Sequence, residues 1–215
     1  MIHLILETAT LQGFVALYHG EKPLGESLLP LGLRSSQFLF AEMDALLKGC
    51  DVTPSEVGLV TCGVGPGSYT GIRVAATVAK TLSYSHSIPL VGLSSLSAFV
   101  PNECSHFYSL LDAKIGGLYL QGEEGAPQLL SWEQAEPRLR ERSLFTPDAA
   151  LIAKLEKRGF TAEHIQPSIA FFASQGLEAH QQGRCSTKGD LDLIYLRKTQ
   201  PEEELKSMAE GKKLI

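Results

Sequence analysis

Reactive and metal-ligating groups are sparse in this chain of 215 residues. Its four cysteines, Cys50, Cys62, Cys104 and Cys185, stand far apart with no Cys-x-x-Cys pair. That spacing excludes a local zinc knuckle and implies no disulfide framework, leaving reduced, buried thiols as the expectation. None of the six histidines, His3, His19, His86, His106, His164 and His180, lies four residues from another. A His-x-x-x-His metal pair, with two imidazoles one turn apart on one helix face, is therefore missing. Cations are also short: 19 Lys and Arg face 24 Asp and Glu, a net charge of −5. This is the wrong sign for a protein that embraces a nucleic acid backbone unaided. No apolar run is long enough to span a bilayer, and the apolar start Met1 to Leu6 lacks a basic flank and is interrupted by Glu7. Neither a signal peptide nor a membrane span is expected, and a cytoplasmic location follows by default.

What is present is an ordinary globular composition, 44% hydrophobic and 20% charged, enough for one large core or two small ones. The most distinctive stretch runs from Cys62 to Arg73. The β-branched run Val57 to Val64 predicts a buried strand, and Ile72 to Tyr84, without a breaker, predicts a helix. Gly63, Gly65, Pro66, Gly67 and Gly71 thus fall at a strand-to-helix junction, where Ser68 or Thr70 is placed to cap the helix or an anion to occupy it. A tight turn explains the same residues. The junction has no Gly-Lys-Ser/Thr of a P-loop, and Gly71 comes one position late for the dinucleotide fingerprint.

In chain order, Ile2 to Glu7, Phe14 to Tyr18 and Leu24 to Leu29 predict three strands joined by turns at Gln12-Gly13 and His19-Gly20. A helix is expected from Arg34 to Lys48, stopped by Gly49. Its Leu39, Phe40, Met43, Leu46 and Leu47 form one apolar arc; Phe38, Ala41 and Ala45 form a second strip beyond a polar stripe. The next helix sets a bulky ridge, Val74, Val78 and Leu82, beside a flatter strip, Ile72, Ala76, Ala79 and Ser83. So wide an apolar surface implies contact on two sides, either with a partner or within the same domain.

Further on, Ile88 to Leu93 predicts a strand and Ser94 to Val100 a short helix capped by Ser94 or Ser95. Pro101-Asn102-Glu103 is the candidate hinge. His106 to Leu111 and Gly117 to Gln121 predict a strand pair around Asp112-Ala113-Lys114. Asp112 in such a turn either hydrogen-bonds local amides or serves a ligand with Lys114. Glu123 to Thr146 reads as an irregular connector. Helices follow from Pro147-Asp148 to Arg158 and from Ile169 to Gln182 with Ser168 as cap, then a strand-like run, Leu191 to Leu196, and a charged tail from Pro201.

Gly65-Pro66-Gly67-Ser68-Tyr69-Thr70-Gly71-Ile72-Arg73 as a whole resembles the signature of the bacterial TsaB (YeaZ) family. Leu6-Glu7-Thr8-Ala9-Thr10, Leu111-Asp112-Ala113-Lys114-Ile115-Gly116 and Tyr195-Leu196-Arg197 support the resemblance at family-like spacing. It implies an α/β fold of the actin-like, sugar kinase and Hsp70 (RNase H-like) class in two lobes, residues 1–101 and 102–215. It also implies a noncatalytic subunit required to form N6-threonylcarbamoyladenosine at position 37 of tRNAs reading codons that begin with A. The implied partners are a TsaD-type catalytic paralogue, a TsaE-type ATPase that meets the assembled pair, and a second copy of the chain when it is alone. Contact with tRNA is indirect and no membrane is involved. ATP and a metal are expected on partner subunits, with no catalytic or metal-binding residue on this chain.

In that fold the turn after the first strand normally contacts phosphate. Here Glu7 replaces the more usual Asp and Thr8-Ala9-Thr10 offers no glycine, so a weakened site is expected. Glu7, Thr8, Thr10, Gly65, Gly67, Ser68, Thr70, Asp112 and Lys114 remain the candidate anion or nucleotide contacts. Phe38, Ala41, Ala45, Ile72, Ala76, Ala79 and Ser83 are the candidate partner contacts. A small-molecule phosphotransferase of the same fold, or a glycoprotease-like peptidase, is the alternative.

Overall fold

The computed structural model describes residues 1–32, 35–101, 104–114 and 116–197. Its first sheet begins with β1 (Ile2–Glu7), β2 (Phe14–His19) and β3 (Lys22–Leu28), an antiparallel meander whose register pairs Glu7 with Phe14 and Phe14 with Leu28. A short 3-10 helix, Ser35–Gln37, leads into α1 (Leu39–Gly49). Then β4 (Val57–Gly63), α2 (Tyr69–His86) and β5 (Leu90–Leu93) follow, with β4 and β5 parallel to β1. The strand order is β3-β2-β1-β4-β5.

Both faces of this sheet are covered, which is why its central strands read as continuous apolar runs. Leu4, Leu6, Val15, Leu17, Val60 and Cys62 point toward α1 and α2. Ile5, Phe14, Ala16 and Tyr18 alternate with them and pack on the opposite side, as a period of two requires.

The second sheet comprises β6 (Phe107–Asp112), β7 (Gly117–Gln121), β8 (Gln128–Ser131), β9 (Ser143–Thr146) and β10 (Glu163–His164). Helix α3 (Trp132–Leu139) joins β8 to β9, and α4 (Ala149–Glu156) follows β9. The order is β10-β9-β6-β7-β8, with β6, β7 and β8 antiparallel and β9 and β10 parallel to β6. This is the first sheet's plan repeated strand for strand, a repetition the two sequences do not display. Helix α5 (Ile169–Gln181) returns to the first sheet, where Phe172 meets Phe14 edge to face at 5.7 Å. Helix α5 thus packs with the first sheet.

Several sequence expectations change. Glu123 to Thr146 is not an irregular connector but carries β8, α3 and β9. The signal lay in a capping box: Ser131 Oγ accepts from the Gln134 amide, and Gln134 Oε1 accepts from the Ser131 amide. Helix α1 starts at Leu39 rather than Arg34, and Arg34 lies outside the described residues. Phe40, assigned to the core arc, is 67% exposed. Ser94 to Val100 forms only a 3-10 turn, Ser95–Ala98. Neither Ser94 nor Ser168 makes a side-chain cap. Leu191 to Leu196 forms no strand; Leu191 packs on the first sheet and Leu196 on the second. The hinge residues Asn102 and Glu103, Ile115, and the tail from 198 lie outside the described residues.

Candidate functional site

Two turns and one glycine loop meet at the carboxyl ends of the parallel strands. The loop after β4 presses directly on the turn after β1. A Cβ on Gly67, whose φ is +154°, would lie 2.1 Å from the Ala9 carbonyl oxygen, and one on Gly71 would lie 1.9 Å from that of Thr8. Only glycine permits this approach. The contact is fixed by the Ser68 amide donating to the Ala9 carbonyl at 2.6 Å and by Thr8 Oγ1 donating to the Gly71 carbonyl at 2.7 Å. Ser68 caps α2, its Oγ accepting from the Gly71 amide. Gly65 also adopts positive φ, +96°. Thr70 is exposed on the first turn of α2.

Glu7 closes β1 fully buried. Its Oε1 accepts from the amides of Ala9 at 2.5 Å and Thr10 at 3.1 Å, and its Oε2 accepts from Ser95 Oγ at 2.6 Å. Burial raises the carboxyl pKa to about 7 against the opposing pull of these three hydrogen bonds. Ser95 in turn accepts from the Gly65 amide at 3.0 Å. Thr10 Oγ1 donates to the Gln12 carbonyl. The candidate donors of the first turn are thus engaged within the chain.

The equivalent turn of the second sheet is organised by Asp112, whose carboxylate accepts from the Lys114 amide at 2.8 Å and from Lys154 Nζ at 2.6 Å. Burial alone would raise its pKa, but the Lys154 hydrogen bond, the Lys114 amide and both lysine charges together hold it below the ordinary carboxylate range. Lys114 itself sits at positive φ, +67°. The local-amide reading of Asp112 therefore describes its contacts.

Between these turns lies a cavity of about 440 Å³. Ala9, Thr10, Gly67 and Ser68 line one side, and Leu111, Asp112, Lys114 and Tyr119 the other. Ile194 to Arg197 crosses its mouth: the Ile194 amide donates to the Val64 carbonyl, and Arg197 donates to that of Ala113. Tyr195 stacks on Tyr69 with ring centroids 4.8 Å apart, and the Arg73 guanidinium lies 3.8 Å from the Tyr69 ring centre. Sequence spacing does not mark Tyr69, Arg73 or Ser95 as site residues. Their neighbours across 122 and 88 positions of sequence are invisible to local spacing. Among the described residues, no three His, Cys, Asp or Glu side chains are grouped to hold a metal ion. No helix among them is long and apolar enough to cross a membrane.

The candidate partner contacts divide. Phe38, Ala41 and Ala45 are exposed, Phe38 by 44%. Ile72, Ala76, Ala79 and Ser83 are buried in their own chain and cannot form a contact surface as the molecule stands. The flat strip seats α2 on the sheet, where a long helix crossing several strands needs small side chains, and Ser83 Oγ donates to the Ile88 carbonyl. The outward face of α2 is instead the polar one, with Arg73, Thr77 and Tyr84, the last 80% exposed.

A mixed α/β protein built from two five-stranded sheets of like topology, with turns and a glycine loop facing a common cleft, is the class these features define. The same architecture is found in YeaZ from Pseudomonas aeruginosa, at a TM-score of 0.70 and 20% identity over 91% of this chain and 99% of that one. A family model described as TsaD, tRNA N6-adenosine threonylcarbamoyltransferase, matches residues 34–131. The tRNA threonylcarbamoyladenosine biosynthesis protein TsaB of Bacillus subtilis is 32% identical over 123 residues, 55% of this chain and 53% of that protein. The protein of the same name from Escherichia coli is 26% identical over 122 residues, 54% and 52%. Over these stretches the chain is similar to proteins of the TsaB (YeaZ) family. It matches about half the length of these curated relatives.

Proposed function

We propose that this chain is a noncatalytic partner subunit in the formation of N6-threonylcarbamoyladenosine at position 37 of tRNAs reading codons that begin with A. In this reading its two sheets are the lobes of an actin-like fold, divided near residue 101, and it works in the cytoplasm. It docks to a TsaD-type paralogue, which carries the metal and nucleotide, and holds that subunit in a productive conformation. A TsaE-type ATPase recognises the assembled pair, a second copy of the chain occupies the docking face when the paralogue is absent, and tRNA is met only through the partners.

One contrast carries the proposal. The polar groups that would serve a ligand in the cleft are engaged by the chain itself, from Glu7 with the Ala9 and Thr10 amides to Asp112 with Lys154. Meanwhile Phe40 on α1 and Tyr84 on α2, helices that cover the same face of the first sheet, stand in solvent at 67% and 80% exposure. Large side chains left open on two helices, beside a self-satisfied cleft, suit a subunit that acts by contact. The net charge of −5 agrees with tRNA being held elsewhere. Mass spectrometry of tRNA nucleosides after depletion of the protein tests the role. Loss of threonylcarbamoyladenosine is expected, and an undiminished level contradicts it.

A further inference from the structure

We infer that residues 191–197 form a releasable strap over the cleft: the segment detaches locally, with both sheets still folded, and so sets access to the 440 Å³ cavity. The inference is independent of the docking role.

Placement and weak attachment carry it together. The segment leaves the first sheet and ends on the second: Leu191 packs on the core of the first, and Leu196 packs with Leu111, Ala113 and Tyr119 of the second. Its path is cleared by two glycines. A Cβ on Gly92 would lie 2.7 Å from Leu191 Cδ1, and one on Gly65 would lie 2.8 Å from the Ile194 carbonyl oxygen. Ile194, Tyr195, Leu196 and Arg197 all line the cavity, so one wall of the cleft is a segment in neither helix nor strand. That wall is lightly held. The Ile194 amide donates to the Val64 carbonyl at 2.8 Å and Arg197 to that of Ala113 at 3.3 Å, while Leu191, Ile194 and Leu196 are only half-buried. The catch is the stack of Tyr195 on Tyr69, which stands in water at 39% and 37% exposure, with Arg73 Nε 3.4 Å from the Tyr195 hydroxyl. A segment with few buried apolar contacts and solvent-exposed bonds opens at a lower free energy than the domain that carries it. The turns beneath do not need the strap, because Glu7 and Asp112 already order them from within. Its departure therefore leaves only carbonyls that water can reach.

The test is thiol labelling of the full-length chain. Ala113→Cys puts a thiol at a 3% exposed position that packs with Leu196 and lines the cavity. Cys62, fully buried in the core of the first sheet, reports global unfolding. Modification of each site by iodoacetamide is followed by peptide mass spectrometry, with and without Tyr195→Ala, a change at an exposed position that removes the catch. Modification of the introduced thiol should accelerate roughly tenfold while that of Cys62 stays the same. No acceleration, or an equal one at Cys62, overturns the inference. A second measurement needs no variant to fold. In native-state hydrogen exchange of the wild-type protein, the Ile194 amide should show a protection factor at least about tenfold below that of the Val60 amide, which donates to the Pro89 carbonyl within the first sheet. Equal protection of the two amides overturns the inference by itself.

Discussion

Gly63 and Glu7 share one position in space: a side chain on the glycine would stand 1.6 Å from the carboxylate oxygen of the glutamate. The pair lies on adjacent parallel strands, β1 and β4. Gly63→Ala must therefore displace a fully buried carboxylate from three hydrogen bonds. The expected loss is roughly 3 kcal/mol, combining overpacking with unmade buried hydrogen bonds. Gly58→Ala on the same strand is the control. Its new methyl meets the Met1 side chain at 2.6 Å, but that side chain is flexible and 44% exposed. It should cost less than about 1 kcal/mol. Urea denaturation of the two variants measures the difference.

The pH dependence of stability should be flat where two buried groups oppose each other. Glu7 has its pKa raised from 4.5 to about 7, chiefly by burial. The folded state therefore binds its proton more tightly, and the stability this confers is complete below pH 4.5 and lost as pH rises toward 7. His3 is the reverse. Burial first, then the nearby His180, lowers its pKa from 6.5 to about 4, while its Nε2 lies 2.7 Å from Thr61 Oγ1. Its contribution is complete above pH 6.5 and lost as pH falls toward 4. Between pH 4.5 and 6.5 the two slopes cancel. Glu7→Gln should expose the histidine alone, so that unfolding free energy falls on acidification by on the order of 3 kcal/mol. His3→Gln should tilt the curve the other way. Urea titrations at half-unit pH steps decide it.

The two faces of the helix pair separate binding from folding. Ala41 on α1 is exposed, and Ala76 on α2 is 3% exposed beneath its own helix. Ala41→Glu should leave the melting temperature within about 2 °C of wild type, as an exposed substitution does. It should also abolish self-association and co-elution with a TsaD-type partner. Ala76→Glu should instead prevent folding, because it buries an unpaired charge. Size-exclusion chromatography with circular dichroism distinguishes the outcomes, and unaltered co-elution of Ala41→Glu would remove the proposed docking face.

How far the sequence reveals this molecule depends on the range of the interaction. The first two strands, β4, and the β6–β7 pair are readable because burial leaves runs such as Phe14 to Tyr18 with hardly a polar residue, whereas the edge strand β3 is exposed and marked by its turns. The existence of α1, α2, α4 and α5 is readable too, that of α3 is not, and neither is the side of α2 that faces the sheet. Its small strip and its bulky ridge are both apolar, and only the flatness of the sheet decides that Ala76 and Ala79 go inward. Leu191 to Leu196 has the composition of a strand but crosses between the sheets and pairs with neither. The sequence Glu7-Thr8-Ala9-Thr10 marks the first turn as unusual, but not where its carboxylate goes. Length and missing glycines suggest crowding, but the carboxylate turning back onto the turn's own amides depends on Ser95, 88 residues away.

Asp112 offers the sharpest separation between a structural and a ligand-binding acid. Its carboxylate is 7% exposed, orders the turn through the Lys114 amide, and ties β6 to α4 through Lys154. Lys154 is 53% exposed at its side chain, so solvent screens the pair and Lys154→Ala should cost no more than about 1 kcal/mol. Asp112→Ala removes the amide's acceptor as well and should cost roughly 1–2 kcal/mol more. If Asp112 serves only the turn, either variant should keep full support of threonylcarbamoyladenosine formation at a temperature where both remain folded. The pH dependence has a matching sign. Because the folded state holds this carboxylate below its ordinary range, its stabilising effect is present above the unfolded pKa and disappears as acid protonates it, so Asp112→Ala should differ least from wild type at low pH. A loss of modification by folded Asp112→Ala, with Lys154→Ala unaffected, would mark the acid as a group that touches ligand.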